Sequence, residues 1–146
     1  MKAITMRQPW AGMVACRLKT IETRTWRTKH RGLIAIHSSQ RVDCHWPTIE
    51  AYGYDVPEHL RMGGCVLAVA DLVRCHRLRG CETAQTLCEC TDKIGWWLER
   101  IVALPEPVPC TGARGVWELP ADVHDRINAV LSTLAVALWQ ELEHVG

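Results

Sequence analysis

The chain has 146 residues, 48% hydrophobic and 23% charged, with a net charge of +1. That length builds one domain with a real core and is short for two, and the composition argues against a disordered chain. No run approaches the roughly 18 consecutive apolar residues of a membrane span, and MKAITMRQPW lacks an apolar segment of signal-peptide length, so a cytoplasmic protein is expected.

The small net charge hides an uneven distribution. Residues 1 to 46 hold nine Lys and Arg against Glu22 and Asp43, a balance of +7, while the remainder holds eight basic against fourteen acidic residues, a balance of −6. Such asymmetry suits a face that meets a polyanion; the alternative is a solvated surface without a partner. Eight cysteines in a chain without a leader and with ample core material are expected as reduced thiols, with Cys16 and Cys65 as small buried hydrophobes.

In chain order, Lys2 to Met6 reads as a first strand. A helix begins at Gln8-Pro9, where the missing proline N–H costs nothing, and Trp10, Met13, Val14 and Leu18 recur at helical spacing. The β-branched run from Ile21 to Thr25 favours a strand, on which Glu22, Arg24 and Trp26 share one face and Thr23 and Thr25 the other. Lys19 lies in the turn that feeds this strand. A cation, a carboxylate, a guanidinium and an indole are thereby expected at one helix-to-strand corner, suited to a planar polar ligand.

RTKHR at 27–31 is a basic connection, and Gly32 opens the apolar strand LIAIHSS. At its end, read from the residues alone, His37 suits a hydrogen-bonded core histidine, and Ser38 and Ser39 suit caps of the next helix. Residues 39–52 are weakly helical, with Pro47 breaking one helix or starting another. YGYDVPEHLRMGG is a loop. CVLAVADLV is a buried strand whose Asp71 needs a partner, since an unpaired buried charge is expensive; Lys19 or Arg24 would serve.

RCHRLRGCETAQTLCECT, at 74–91, has no clean period. Cys75, His76, Cys81, Cys88 and Cys90 carry zinc's usual ligand atoms but not its usual spacing, so no metal or other cofactor is expected and free thiols are the reading preferred. Gly95 to Leu104 returns to strand, PEPVP is an extended connector, and TGARG turns Arg114 towards a closing strand VWEL. Asp122 caps a final helix with an apolar stripe of Val123, Ile127, Val130, Leu131, Leu134, Leu138 and Leu142. Val136 and Trp139 widen that stripe, so the helix packs on the domain or forms a dimer interface.

The segments RQPWA, LKTIETRTW and RGLIAIHSS, followed downstream by GWWLERIVALPEPVP and GARGVWEL, closely resemble the ASCH (activating signal cointegrator homology) domain, a branch of the PUA-like superfamily. The resemblance covers roughly residues 1 to 120, leaving 121–146 as an added C-terminal helix. It implies an α+β fold, a small mixed β-barrel flanked by helices, with a cleft associated with RNA or modified nucleosides. It also carries over His37 and Ser38 as contacts at the cleft.

Some small ASCH-like proteins are amidohydrolases of N4-acylated cytidine that use a Lys, a Thr three positions later and an acid on a later strand. Lys19 matches the Lys and Asp71 the strand carboxylate, but Glu22 stands where those enzymes have threonine, which removes the hydroxyl nucleophile. Glu22 activating a water beside Lys19 or Arg24 is the mechanism left; ribonuclease activity is the other enzymatic option. The reading preferred is a binding module for RNA or a modified nucleoside. In it Lys19, Glu22, Arg24 and Asp71 line the cleft, Gln8 and Arg114 add polar contacts, and Trp10 or Trp26 stacks on a base. No membrane partner is expected, and the chain is a monomer or a homodimer through the final helix.

Overall fold

β4 (Cys65–Arg77) and β5 (Ile94–Pro109) are the longest strands and form the antiparallel centre of a six-stranded sheet. The computed structural model describes residues 1–87 and 93–145. Around that centre lie β1 (Lys2–Gln8), β2 (Ile21–Arg24), β3 (Gly32–Val42) and β6 (Val116–Glu118), with helices α1 (Trp10–Ala15), α2 (Trp46–Ala51) and α3 (Ala121–Val145). The sheet order is β2-β5-β4-β3-β1-β6. Only β1 and β3 run parallel; the other neighbours are antiparallel.

The α+β class and the mixed sheet flanked by helices stand as expected, but the barrel is not closed, because the edge strands β2 and β6 do not pair. The sheet is nevertheless strongly curled. In a flat sheet the four strand spacings from β2 to β1 would span about 19 Å, yet Arg24 Nη2 on β2 donates to Thr5 O on β1 at 2.7 Å. Side chains bridge the seam that backbone pairing leaves open.

Alternating residues supply two cores, one on each face of the sheet. Ile4, Ile34, Ile36, Leu67 and Leu72 face α1 with Met13, Val14 and Trp96. Their neighbours Ala3, Ala35, Val66 and Val69 face α3 with Leu104, Val108, Val123 and Ile127. Burial on both faces explains the nearly unbroken apolar run in β4. On α3, Val123 and Ile127 are buried and Val130 and Leu131 pack partly against the same core, whereas Val136 and Leu142 are exposed. No helix among the described residues is long and apolar enough to cross a membrane.

Several local readings differ from the expectation. α1 ends at Ala15 because Arg17 turns left-handed, with φ of 67°, and Arg17 N and Leu18 N satisfy Val14 O and Met13 O. Leu18 therefore lies outside the helix. Residues 39–42 continue β3 rather than start a helix, and Pro47 sits in the first turn of α2. PEPVP belongs to β5; prolines are tolerated there because β2 pairs only with Ile94–Trp97, leaving the later part of that edge without a β2 partner. Asp122 lies inside the first turn of α3 instead of capping it, where its charge suits the helix N-terminus.

Candidate nucleic-acid interface

The left-handed Arg17 folds the chain back so that Lys19 N donates to Met13 O, which drives the Lys19 side chain inward. It is only 1% exposed. Its ammonium donates to Thr86 O, lies 3.8 Å from Glu22 Oε1, and sits 5.4 Å from the centroid of the Trp10 ring. Glu22 Oε1 also accepts from Thr23 N at 2.8 Å, and Oε2 faces Arg24 Nη2 at 3.3 Å. A buried ammonium is costly unless paired and hydrogen-bonded, and here a carbonyl, a carboxylate and an aromatic face do that together.

This network floors a cleft of about 1020 Å³ that opens at the seam between β2 and β1. Two indoles flank it, and both are anchored. Trp10 Nε1 donates to Asp43 Oδ2 at 3.0 Å, and Asp43 Oδ1 pairs with Arg7 Nη1 at 3.0 Å. Trp26 meets Trp96 edge to face at 4.8 Å, and Trp96 Nε1 donates to Trp26 O. Arg41, Lys93 and Arg114 also line the cleft, and their side chains have no hydrogen-bond or ion-pair partner among the described residues. The cations thus divide in two: Lys19, Arg24 and Arg7 are held by carboxylates, and the other three have no carboxylate among the described residues.

Of the residues singled out from sequence, Trp10, Lys19, Glu22, Arg24, Trp26 and Arg114 line this cleft. Four others lie elsewhere. Gln8 is buried, donating through Nε2 to Leu60 O and Met62 O and accepting Gly12 N on Oε1, so its amide fastens α1 to the loop before β4. Ser38 is buried beside Met62 O and Cys65 O. His37 floors a neighbouring pocket: Nε2 lies 2.7 Å from Cys110 O and Nδ1 3.2 Å from Thr5 Oγ1. A carbonyl only accepts, so Nε2 carries the proton and Nδ1 accepts from the threonine. Burial pulls the His37 pKa below its ordinary value, in keeping with a neutral ring.

Asp71 is the correction of most consequence. Its partner is Arg100, not Lys19 or Arg24. β5 carries one extra residue between its pairings to Asp71 and Val69, and within that bulge Arg100 adopts φ of 48°, which brings its guanidinium onto Asp71. The candidate zinc ligands Cys88 and Cys90 lie outside the described residues; His76 instead stacks on Trp97 at 4.0 Å.

Sequence reasoning missed Thr5, Arg7, Ser39, Arg41, Asp43 and Lys93 in the cleft. A signal existed for two of them. With residues 39–42 read as strand, Ser39 and Arg41 fall on one face by simple alternation.

The model of the ASCH domain family matches residues 4–127 of this sequence. Among solved structures, the chain is similar to the crystal structure of ASCH from Zymomonas mobilis, with a TM-score of 0.60 at 12% identity over 88% of this chain and 94% of that one. Two structures of single-residue mutants of the same Zymomonas mobilis protein give TM-scores of 0.60 and 0.59, again at 12% identity, covering 88% of this chain and 96% and 94% of theirs. At that identity the likeness is one of fold. No curated protein matches the chain.

Proposed function

Because the chain belongs to the ASCH domain family, PUA-like domains generally associated with RNA, we propose that it binds RNA or a modified nucleoside in the cleft built on Lys19, Glu22 and Arg24, as a cytoplasmic monomer or a homodimer through α3. One observation carries this reading: a buried ammonium and carboxylate, with a half-buried guanidinium against the carboxylate, lie at the floor of a cleft flanked by two anchored indoles. Glu22 accepts from an exocyclic amine of the base, while Lys19 and Arg24 donate to its carbonyl or to a modifying acyl oxygen. Trp10 or Trp26 supplies the stacking face, and Arg41, Lys93 and Arg114 meet phosphate.

The test is a binding titration, read by tryptophan emission, of N4-acetylcytidine, cytidine and a short single-stranded RNA against wild type and Glu22→Gln. Glu22→Gln keeps the shape but loses the charge that holds Lys19 and Arg24. Its binding is expected to fall by about tenfold or more, the scale of one bidentate or charge-assisted contact. Undiminished binding by Glu22→Gln removes the cleft from the account.

A second reading is favoured by the 3.8 Å approach of Lys19 Nζ to Glu22 Oε1, since a carboxylate beside an ammonium is the pair that water activation and oxyanion stabilisation require. On this reading the protein is a hydrolase of an acylated nucleoside or a ribonuclease. Glu22 in place of the nucleophilic threonine requires attack by water rather than a covalent intermediate. Product release from the same ligands, lost in both Lys19→Ala and Glu22→Ala by about 100-fold, would put hydrolysis ahead of binding.

A further inference from the structure

We infer that the ligand is a single-stranded RNA segment of at least two nucleotides, with the adjoining nucleotide seated in a second pocket beside the cleft. The inference rests on the nucleic-acid reading above and narrows it from a nucleoside to a strand.

The second pocket, of about 750 Å³, is continuous with the cleft: Thr5, Ser39, Ala113 and Arg114 line both. Its size lies within the range of pockets that take small polar ligands. No carboxylate lines it among the described residues, and its polar side chains include the neutral His37, Ser39, Gln40 and Thr111, with Arg114 at the boundary. Arg114 is exposed and has no partner among the described residues. A cation between two pockets, one polar and neutral and the other floored by charges, fits a phosphodiester that joins two nucleosides. A free nucleoside has nothing to offer Arg114 or the second pocket.

The two pockets also share a rigid floor. Thr5 O receives Arg24 from the cleft side, and Thr5 Oγ1 accepts from Trp117 Nε1 at 3.1 Å and donates to His37 Nδ1. Above this chain the 110–115 segment passes very close. A Cβ on Gly112 would lie 2.7 Å from His37 Cε1 and 2.9 Å from Thr5 Oγ1, so only glycine lets the backbone come down there. The second pocket is thereby shaped independently of Lys19 and Glu22, which makes it separable by mutation.

The experiment compares cytidine 5′-monophosphate with the dinucleotide CpC, in wild type, Gln40→Ala and Gly112→Ala. CpC carries less negative charge than the monophosphate, so tighter binding of CpC reports contact with its second nucleoside and not a simple electrostatic gain. Wild type is expected to bind CpC about tenfold more tightly, the scale of one added stacked or hydrogen-bonded base. Both variants are expected to bring that ratio to about twofold or less; Gln40→Ala, at a residue that lines only the second pocket, leaves the monophosphate affinity unchanged, whereas Gly112→Ala, on the segment that carries Arg114, is read by the ratio alone. Gln40→Ala removes an exposed amide and leaves the fold intact; Gly112→Ala lifts the segment off His37. Equal affinity for both ligands in wild type, or a ratio untouched in both variants, overturns the second pocket and leaves the cleft reading standing provided the monophosphate binds. Failure of wild type to bind either ligand overturns both.

Discussion

Two sets of opposite charges in this molecule look alike in the sequence and differ in every physical respect. Glu22 meets Lys19 and Arg24 at the floor of the cleft, where Lys19 is 1% and Glu22 9% exposed at the side chain. Asp71 meets Arg100 on the other side of the sheet, at 28% and 67%. The Lys19 and Glu22 charges surrender hydration and are held in place by a carbonyl, a backbone N–H and an aromatic ring; in the second set Arg100 stays largely in water and Asp71 is half-buried. What marks the candidate site is thus where the backbone buries its charges, not the presence of acid and base in suitable order.

The largest way to break that contrast is to remove each carboxylate. Glu22→Ala leaves the Lys19 ammonium buried without its counter-charge, and stability is expected to fall by about 3–5 kcal/mol, as when one partner of a buried pair is deleted. Asp71→Ala is expected to leave the melting temperature almost unchanged, because an exposed pair is screened by water. Lys19→Met should fall between them: it keeps the length of the side chain, and Glu22 retains Arg24 and Thr23 N. Thermal melts of the three variants check the order. Equal losses from Glu22→Ala and Asp71→Ala would erase the distinction between the two sites.

The same contrast shows what the sequence could reveal. The RQPWA to TRTW stretch placed Lys19, Glu22, Arg24 and two indoles at one corner because period-2 alternation after a helix is a local property. The partner of Asp71 is not legible in this way because it depends on a bulge in β5, and a left-handed arginine within a strand has no signature in composition. Arg7, Asp43 and Lys93 reach the cleft only because the sheet curls, a long-range consequence of six strands packing around two cores. The open barrel has the same origin: strand patterns foretell a mixed sheet, but whether β2 and β6 finally pair is decided at the seam, where Arg24 and not a backbone ladder spans the gap.

His37 sharpens the contrast in another way, since it is a buried titratable group that stays neutral. Its folded pKa lies below the ordinary value of 6.5, chiefly because burial penalises the charged ring. The unfolded chain therefore binds more protons than the folded one as pH falls, and the sign of the linkage follows. Stability is fully present above about pH 6.5 and declines below it, as the unfolded chain takes up the proton that the folded ring resists. His37→Gln, which retains a donor for Cys110 O, is expected to lose that part of the slope. Melting temperatures at pH 5.0 and 7.5, for wild type and variant, measure it; parallel curves would show that other groups carry the acid sensitivity.

The smallest expected effect separates the two faces by their cations. Arg41, Lys93 and Arg114 lack partners among the described residues and surround the cleft, whereas Arg100 is engaged by Asp71 and Glu99 on the other side of the sheet. Each phosphate contact on a single strand contributes about −0.7 to the slope of log affinity against log salt. Replacing Arg41 or Arg114 by Ala is then expected to flatten that slope by about this amount, with a few-fold loss of affinity near physiological salt. Arg100→Ala should leave the slope as it was, because its guanidinium is already neutralised. A flattening by Arg100→Ala equal to that from Arg114→Ala would mean that RNA wraps onto the Asp71 face, and the exposed pair would then have to be counted as part of the binding surface.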